Sequence, residues 1–503
     1  MRGSILINFD EIIDNFSYST VQVYVNGDIR KIISIDTLNQ YSTYVYPNDV
    51  VQIILQPRPI TDTQILSIDV SRIDYTTDDL NGNNGIYTTS ISSNTITGTT
   101  SLNVTFTATT RSDAYGFNYV ATCNAQIPCY SIGSGYTNTT TPGTGQPAVR
   151  DIKLKDNLIY TVGNFNRYNG IAQSGITITN LDGSLYSGFT NLGCNVTLQP
   201  RALEVLSDGK FYVTTSTYGG VAVRGLVRIN PDGTRDTSFS GLTSNNNTTL
   251  DDIEIQSDGK IICVGAFTLI NGTSRQSICR LNTNGSLDTS FGGVSGFTSS
   301  FTEFTEVYDI DIQSDGKILC VGQFGFYSGV SRNSICRLNN DGTLDTSFTS
   351  PFTNPNLYTL VVKQLSSGKI LVGGDLEING TYYGLVRLNS NGTLDTSFPY
   401  FGLKDRANDV EEQLDGKILV STYNSNYAPL ISRLFRINSD GSIDSTFNQL
   451  NFSDNNLLTS EVIAINEVRG LYYFGGGFET VNGQSYNHFV SGFLSNGDLN
   501  MCS

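Results

Sequence analysis

Apolar and polar residues alternate along the first part of the chain. Residues 21–25 read Val-Gln-Val-Tyr-Val, and the dipeptide Asn26-Gly27 follows them directly. A period of two is typical of a strand with one buried face, and Asn-Gly between such strands is typical of a tight hairpin turn. Further alternating segments lie at 64–73, 86–91, 101–109 and 117–123. This part of the chain is therefore predicted to be antiparallel β-structure.

Proline and glycine divide the N-terminal region. Pro57 and Pro59 interrupt the alternation, and a proline inside a sheet removes a hydrogen-bond donor. Residues 1–57 are therefore predicted to form an N-terminal β domain. Residues 58–130 form either a second β domain or a continuation of the first, sandwich-like in both cases. Residues 131–147 are rich in Gly, Thr and Pro and are interpreted as a connector.

From about residue 148 the pattern changes to a repeat. An Asp-Gly-Lys or Ser-Gly-Lys turn is followed by a short, wholly apolar segment, as in Asp315–Gly322. The turn glycine returns at intervals of 48 to 57 residues, as Gly209, Gly259, Gly316, Gly368 and Gly416. Degenerate copies near 156–185 and 469–499 make seven units. Self-similarity at this period indicates a repeat architecture.

Each unit has the same internal order. An apolar strand leads into the Asp-Gly turn, and an all-apolar strand, an Asn-Gly or Ser-Gly loop, a third strand and a second turn follow. A four-stranded meander of about fifty residues is the unit of a propeller blade. A solenoid could use such units too, but a closed ring leaves no exposed end sheet. We therefore predict an all-β chain with a seven-bladed β-propeller over residues 148–503, in which residues 130–137 complete the final blade.

The repeats resemble a known family. Arg280–Phe291, Arg337–Phe348 and Arg387–Phe398 each read Arg-Leu-Asn, then an Asn-Gly or Asp-Gly turn, then Leu-Asp-Thr-Ser-Phe. Together with the Gly-Lys turn, this is similar to the delta-60 repeat family of β-propellers. The resemblance covers residues 148–503, although the first and last units lack both motifs. It implies a propeller without enzymatic activity, of a kind that occurs in bacterial surface proteins and phage structural proteins.

The composition favours a protein that works outside a cytoplasm. Charged residues make up only 15% of the chain, and the net charge is −16. Phosphate binding needs clustered Lys and Arg, so we expect neither a nucleic-acid nor a membrane partner. The N-terminus lacks the apolar segment of a signal peptide, and no apolar run reaches the ~18 residues that span a bilayer. A virus particle, assembled inside a cell and active outside it, reconciles these features.

The cysteines recur at two positions of the repeat. Cys263 and Cys320 follow the turn glycine by four residues, and Cys279 and Cys336 follow it by twenty. Valine takes these positions in two other units, as Val213 with Val227 and as Val372 with Val386. A position that accepts either residue is a small core position. The alternative is a disulfide within each unit, Cys263–Cys279 and Cys320–Cys336. A metal site is not expected, because the chain contains no Cys-x-x-Cys spacing.

No pattern of catalytic or cofactor-binding residues emerges. His488 is the only histidine, so a Ser-His-Asp site could lie only there. The Asp-Gly turns lack the later glutamate of a calcium-binding EF-hand, and tight turns alone account for their Asp and Gly. The Asp of Leu-Asp-Thr-Ser-Phe and the Arg of Arg-Leu-Asn recur together, so we interpret them as structural partners. We therefore predict no catalytic residue, no cofactor and no metal.

Aromatic residues in the loops between units are the candidates for recognition. These are Phe297, Phe301, Phe304, Tyr400 and Phe401. Rigid scaffolds carry recognition on such loops, and exposed aromatic rings suit carbohydrate or protein contacts. The alternative is that these rings only cover blade edges.

These features predict a non-enzymatic structural or attachment protein of a bacteriophage virion, in the tail or its fibres. The N-terminal region would bind other virion proteins, and the propeller would recognise a host surface glycan or protein. A bacterial cell-surface adhesion protein is the first alternative. A propeller enzyme acting on polysaccharide is the second, and acidic residues unique to single blades and facing the central channel would favour it.

Overall fold

The structure, a computed structural model, describes strand backbone between Gly3 and Gln126 and most side chains of the repeat region. In the repeat region it describes residues 135–138, 147–194, 200–243, 249–292, 295–299, 305–399, 405–423, 431–453, 462–466, 471–486, 488–494 and 496–499. These parts of the chain contain no helix, and therefore none that could cross a membrane. The all-β prediction is confirmed.

The N-terminal unit contains two sheets. Its strands are β1 (Gly3–Asn8), β2 (Tyr18–Val25), β3 (Asp28–Ile33), β4 (Gln40–Val45), β5 (Val50–Pro57), β6 (Gln64–Asp69), β7 (Ile73–Tyr75), β8 (Asn84–Ile91), β9 (Thr95–Thr97), β10 (Leu102–Arg111) and β11 (Val120–Gln126). One sheet has the order β4-β1-β6-β11-β9, with β7 also against β1, and the other has the order β3-β2-β5-β10-β8. Val25 of β2 lies opposite Asp28 of β3, which matches the hairpin expected at Asn26-Gly27. Strands from before and after residue 58 share both sheets.

The repeat region continues with short strands. These are β12 (Tyr136–Thr137), β13 (Ala148–Lys155), β14 (Leu158–Asn164), β15 (Arg167–Tyr168), β16 (Ile171–Ala172), β17 (Ile176–Asn180), β18 (Leu203–Val205), β19 (Phe211–Tyr218), β20 (Val221–Ile229), β21 (Leu242–Thr243), β22 (Thr249–Ile255), β23 (Ile261–Ala266), β24 (Leu269–Ile270), β25 (Thr273–Ser274), β26 (Ile278–Leu281), β27 (Phe297–Thr298), β28 (Glu306–Ile312), β29 (Ile318–Gln323), β30 (Phe326–Tyr327), β31 (Val330–Ser331), β32 (Ile335–Leu338), β33 (Thr359–Gln364), β34 (Ile370–Ile378), β35 (Thr381–Leu388), β36 (Arg406–Glu412), β37 (Ile418–Tyr423), β38 (Ile431–Ile437), β39 (Leu450–Ser453), β40 (Val462–Asn466), β41 (Leu471–Gly475), β42 (Thr480–Val481), β43 (Gln484–Ser485) and β44 (Phe489–Phe493).

Seven sheets among the described residues of the repeat region each contain three strands that pair in chain order. These three-stranded cores are β13-β14-β17, β18-β19-β20, β22-β23-β26, β28-β29-β32, β33-β34-β35, β36-β37-β38 and β40-β41-β44. The middle strand is buried along its length, as in Ile318–Gln323, because a neighbouring sheet covers each face. This confirms the β-propeller fold, while the number of blades stays a prediction.

The first strands of these cores, β13, β18, β22, β28, β33, β36 and β40, lie on the inside of the propeller. From β13 to β36, each first strand contacts the first strand of the next sheet. The Ile463 amide of β40 donates to Asp409 of β36, at 2.7 Å. The Val149 amide of β13 donates to the Gly476 carbonyl, at 3.2 Å. Contacts therefore return from the last sheet to the first, as a propeller requires.

Short linking strands reinforce the junctions between sheets. β12, β27 and β39 each pair with a hairpin of the sheet that follows, in the orders β12-β15-β16, β27-β30-β31 and β39-β42-β43. β39 also pairs with β38 of the sheet before it. Tyr136 of β12 repeats this double contact, because its strand pairs with β15 and its ring lies 5.9 Å from that of Phe489 in β44. The segment before the first sheet thus joins the first sheet to the last.

The cysteines of the repeats are small core residues. Cys263 lies opposite Cys279, and Cys320 lies opposite Cys336, on paired strands. All four are buried and are free thiols. Valine pairs occupy the equivalent places, Val213 with Val227 and Val372 with Val386. The core interpretation of this position therefore holds, and the two disulfides are not formed.

Candidate functional site

The aspartate of each Leu-Asp-Thr-Ser-Phe segment is held by four groups. One oxygen of Asp288 accepts hydrogen bonds from the Ser290 amide, at 2.9 Å, and its hydroxyl, at 2.6 Å. The other accepts from Arg280 Nε and Lys260 Nζ, each at 2.9 Å. Burial alone would raise the pKa of Asp288, but these hydrogen bonds hold it well below its usual range.

The same arrangement, called the aspartate clamp here, recurs in five sheets. Asp236, Asp345, Asp395 and Asp444 each accept from an arginine Nε and lie within 3.2 Å of a lysine Nζ. The arginines come from Arg-Leu-Asn or its Arg-Ile-Asn variant, and the lysines come from the Gly-Lys turns. The predicted Arg–Asp partnership is confirmed, and it explains why three distant motifs recur together.

Four clamp arginines also donate to a backbone carbonyl of the next unit, namely Arg228, Arg280, Arg337 and Arg387. Arg280 Nη1 donates to the Asn340 carbonyl, at 2.6 Å, and its guanidinium lies 4.7 Å from the ring centre of Phe291. A Cβ atom on Gly342, which has φ of 83°, would lie 2.8 Å from that ring. The second turn glycine therefore lets the phenylalanine of one sheet pack against the following one. The recurring charged residues thus hold neighbouring sheets together.

The first strands carry residues that differ from sheet to sheet. A β-bulge interrupts β13, β22, β28, β33 and β36 at the same place. The bulged residues are Arg150, Asp251, Tyr308, Leu360 and Asn408. A bulge redirects a side chain without removing the strand from its sheet. The residue type at the bulge therefore differs from sheet to sheet, while the bulge itself recurs.

Six residues at or near the bulges form what we call the polar belt: Arg150, Arg201, Asp251, Glu306, Tyr308 and Tyr358. Arg201 Nη1 lies 2.5 Å from Asp251 Oδ1, and the Asp251 side chain is only 5% exposed. Asp251 also shares a hydrogen bond with Glu306. The pKa of Asp251 is raised to about 8, and burial is the largest cause. The positive charge of Arg201 lowers this pKa, and the neighbouring Glu306 raises it.

The belt continues on both sides of this carboxyl pair. Glu306 is hydrogen-bonded to Tyr308 as well, and burial raises the pKa of Tyr308. The ring centre of Tyr308 lies 6.1 Å from that of Tyr358, which is 46% exposed. On the other side, burial and then the nearby Arg201 charge lower the pKa of Arg150 to about 10. Charged, carboxyl and aromatic groups therefore adjoin one another across successive first strands.

Carboxylates next to the bulges link the first strands. Asp151, Asp252, Asp309 and Asp409 each accept a hydrogen bond from a backbone amide of the following first strand, at 2.7 to 3.1 Å. Burial is the largest cause that raises the pKa of Asp309, to about 8. Glu254, Asp311 and Glu411 lie two residues beyond three of these aspartates, and Lys153 lies two residues beyond the fourth; Glu204 of β18 and Lys363 of β33 are on first strands without such an aspartate. The inner strands are therefore acidic.

The single histidine occupies a structural position. His488 has φ of 70°, and its amide donates to the Phe478 carbonyl, at 3.1 Å. Ser277 and Ser334 have the same backbone role in their sheets, with φ of 59° and 61°. Burial lowers the pKa of His488 to about 4. Within the described ranges, no group of three or more His, Cys, Asp or Glu side chains could hold a metal ion.

Five segments match a family model described as a domain of unknown function (DUF5122) beta-propeller. The matching residues are 206–239, 256–291, 313–348, 365–398 and 413–447. These five segments therefore match a β-propeller repeat family. Each matching segment contains a Gly-Lys turn and the clamp residues that follow it, so the family pattern coincides with the contacts that hold the propeller together.

The propeller is also similar to solved structures, at low identity. The extracellular domain of the hybrid two-component system BT3049 from B. thetaiotaomicron is 12% identical, with a TM-score of 0.41, and the alignment covers 94% of this chain and 60% of that one. A polysaccharide lyase, the PL25 ulvan lyase, is 11% identical, with a TM-score of 0.41 and coverage of 75% and 97%. A gluconolactonase from Xanthomonas campestris is 11% identical, with a TM-score of 0.34 and coverage of 69% and 96%. No curated protein matches the chain significantly in sequence.

One of the five loop aromatics, Phe297, lies among the described residues, and it is not exposed. Phe297 is fully buried, with its ring 4.5 Å from that of Phe324 and 4.8 Å from that of Tyr327. It was expected in an exposed loop, but it belongs to linking strand β27 and packs beneath the next hairpin. Phe301, Phe304, Tyr400 and Phe401 lie outside the described residues.

Sequence reasoning missed the polar belt. Its members lie at or near the bulge of each first strand, and their residue types change from sheet to sheet, so a search for recurring motifs passes over them. In the sequence, the bulged residue can be located because it stands between an apolar residue and an aspartate, as in Val307-Tyr308-Asp309 and Leu250-Asp251-Asp252. Aligning the units and looking for their most variable position near a strand start would have found it.

Proposed function

We propose that this chain is a non-enzymatic structural or attachment protein of a bacteriophage virion. The N-terminal unit binds other virion proteins, and the propeller presents a recognition surface toward a host surface glycan or protein. The low content of charged residues, 15%, and the resemblance to repeats of phage and surface proteins support this proposal. It is consistent with the expectation that neither nucleic acid nor a membrane is a partner.

The main support for the proposal is that repeated and unrepeated residues have different places in the propeller. The recurring Arg, Asp and Lys are used in clamps between sheets. The unrepeated polar and aromatic residues lie together in the polar belt. A rigid frame with one variable surface is the arrangement of a recognition protein.

The geometry of the carboxyl pair favours recognition over hydrolysis. Asp251 and Glu306 are in hydrogen-bond contact. Glycosidases of the common kinds separate their two carboxyl groups by about 5 Å or more, to admit the sugar carbon or a water molecule. A pair in direct contact leaves no such space, so it supports a binding role in preference to a polysaccharide-degrading one.

Particle association tests the virion role. Phage particles from a strain that carries this gene are purified on a density gradient, and the protein is followed with an antibody in every fraction. We expect it to sediment with intact particles and to resist removal by a high-salt wash. Recovery in the cell-surface fraction, with none on the particles, would instead support the bacterial adhesion alternative.

A further inference from the structure

The polar belt combines features that distinguish it from the rest of the propeller. Its residues lie at or near the bulged positions of successive first strands, yet they comprise two arginines, two carboxyl residues and two tyrosines. The aspartate clamps, by contrast, keep the same residue types in five sheets. A role in holding the sheets together therefore does not explain why these residue types occur in the belt.

The belt offers both an apolar face and fixed hydrogen-bonding groups. Tyr358 is 46% exposed, and the centre of its ring lies 6.1 Å from that of Tyr308. Arg201, whose side chain is 40% exposed, is held by the buried carboxyl of Asp251. Aromatic rings bind the apolar faces of sugars, and adjacent guanidinium and carboxyl groups match the donors and acceptors of sugar hydroxyls. Preorganised groups of this kind reduce the entropic cost of binding.

The charge of the surroundings narrows the ligand class. Two arginines of the belt face a carboxyl pair, so their charges are largely balanced. Further along the same strands lie Asp252, Asp309, Glu254 and Asp311, with few cations among them. Burial raises the pKa of Asp252, Asp309 and Glu254, so these carboxyl groups are largely protonated near neutral pH and act as uncharged hydrogen-bonding groups. A neutral polyhydroxylated ligand matches such uncharged donors and acceptors.

We propose that the polar belt is a binding site for a neutral saccharide, with Tyr358 as the stacking platform and Arg201, Asp251 and Glu306 as the hydrogen-bonding groups. The proposal rests on the attachment role and gives it a ligand class. Arg150 and Tyr308 position these groups.

Binding of the full-length protein to a glycan array with neutral, uronic acid and sulfated oligosaccharides tests the proposal. Titration calorimetry with the tightest neutral oligosaccharide then compares three proteins. Tyr358→Ala is expected to weaken binding about tenfold or more, which corresponds to ~1.4 kcal/mol. The matched control is Tyr382→Ala, because Tyr382 is 58% exposed and belongs to the same sheet but lies outside the belt. This control should bind within about twofold of the unchanged protein.

A second variant guards against a purely structural effect. Asp251→Asn keeps the shape of the side chain but releases Arg201, so it should weaken saccharide binding. The melting temperature of Tyr358→Ala should equal that of the unchanged protein. The proposal is overturned if no neutral glycan binds, if only anionic glycans bind, or if Tyr382→Ala loses as much affinity as Tyr358→Ala. Saccharide binding without particle association would reject the virion role alone, and particle association without saccharide binding would reject the site alone.

Discussion

Replacing Asp345 with asparagine tests the aspartate clamp directly. Its carboxylate accepts from Arg337 Nε at 2.8 Å and lies 3.2 Å from Lys317 Nζ, and the side chains of Asp345 and Arg337 are 9% and 8% exposed. Asparagine keeps an oxygen for Ser347 but leaves the buried guanidinium without its counter-charge. Loss of a charge-assisted hydrogen bond, with a charge left unpaired, costs about 3 kcal/mol.

Hydrogen exchange measured by mass spectrometry resolves this effect locally, because a repeat protein need not unfold in one step. Opening of β32 should become roughly a hundredfold more frequent in Asp345→Asn, as ~3 kcal/mol implies. The matched control is Asp341→Asn, since Asn284 and Asn391 occupy that turn position naturally. Equal exchange in β32 of the two variants would refute the clamp argument.

Three further predictions follow from other parts of the propeller. Burial raises the pKa of Asp309 to about 8, so the folded protein holds a proton that the unfolded chain releases near pH ~4. Stability should therefore fall as pH rises between those values, and melting curves at pH 5 and pH 8 should differ less in Asp309→Asn. The double variant Cys263→Val, Cys279→Val should have a melting temperature within a few degrees of that of the unchanged protein, because valines fill this place in other sheets. The double variant with serine at both positions should have a clearly lower melting temperature, because its hydroxyl groups would be buried. Phe297→Ala should destabilise the β27 junction by about 3 to 5 kcal/mol, seen as faster exchange in β30, and unchanged exchange there would contradict the burial of this ring.

Motif repetition made much of the fold predictable. A Gly-Lys turn followed by an all-apolar segment requires a strand buried on both faces, and Ile318–Gln323 is such a strand. The joint recurrence of Arg337 and Asp345 predicted their contact, because partners inside a repeat must recur together. These features are local, or they repeat at one spacing, so the sequence contains them explicitly.

Features that depend on contacts between sheets were not predictable in the same way. Phe297 lies in a segment without a period, and its burial depends on pairing with Tyr327 in the next sheet. The belt residues Asp251 and Glu306 come from two sheets, and only the fold brings them into contact. For Phe297, neither residue type nor local spacing distinguishes the position from an ordinary loop residue, and for Asp251 the sequence indicates a variable position but not its partner.

The double contact of Tyr136 has a consequence for how the ring forms. This residue meets Phe489, which lies far along the chain, so the seam between first and last sheets joins the most distant parts of the repeat region. Contacts of long sequence separation form late, because the loss of chain entropy precedes their gain. We therefore expect the early sheets to assemble while the seam is still open, and the last sheet to close the ring.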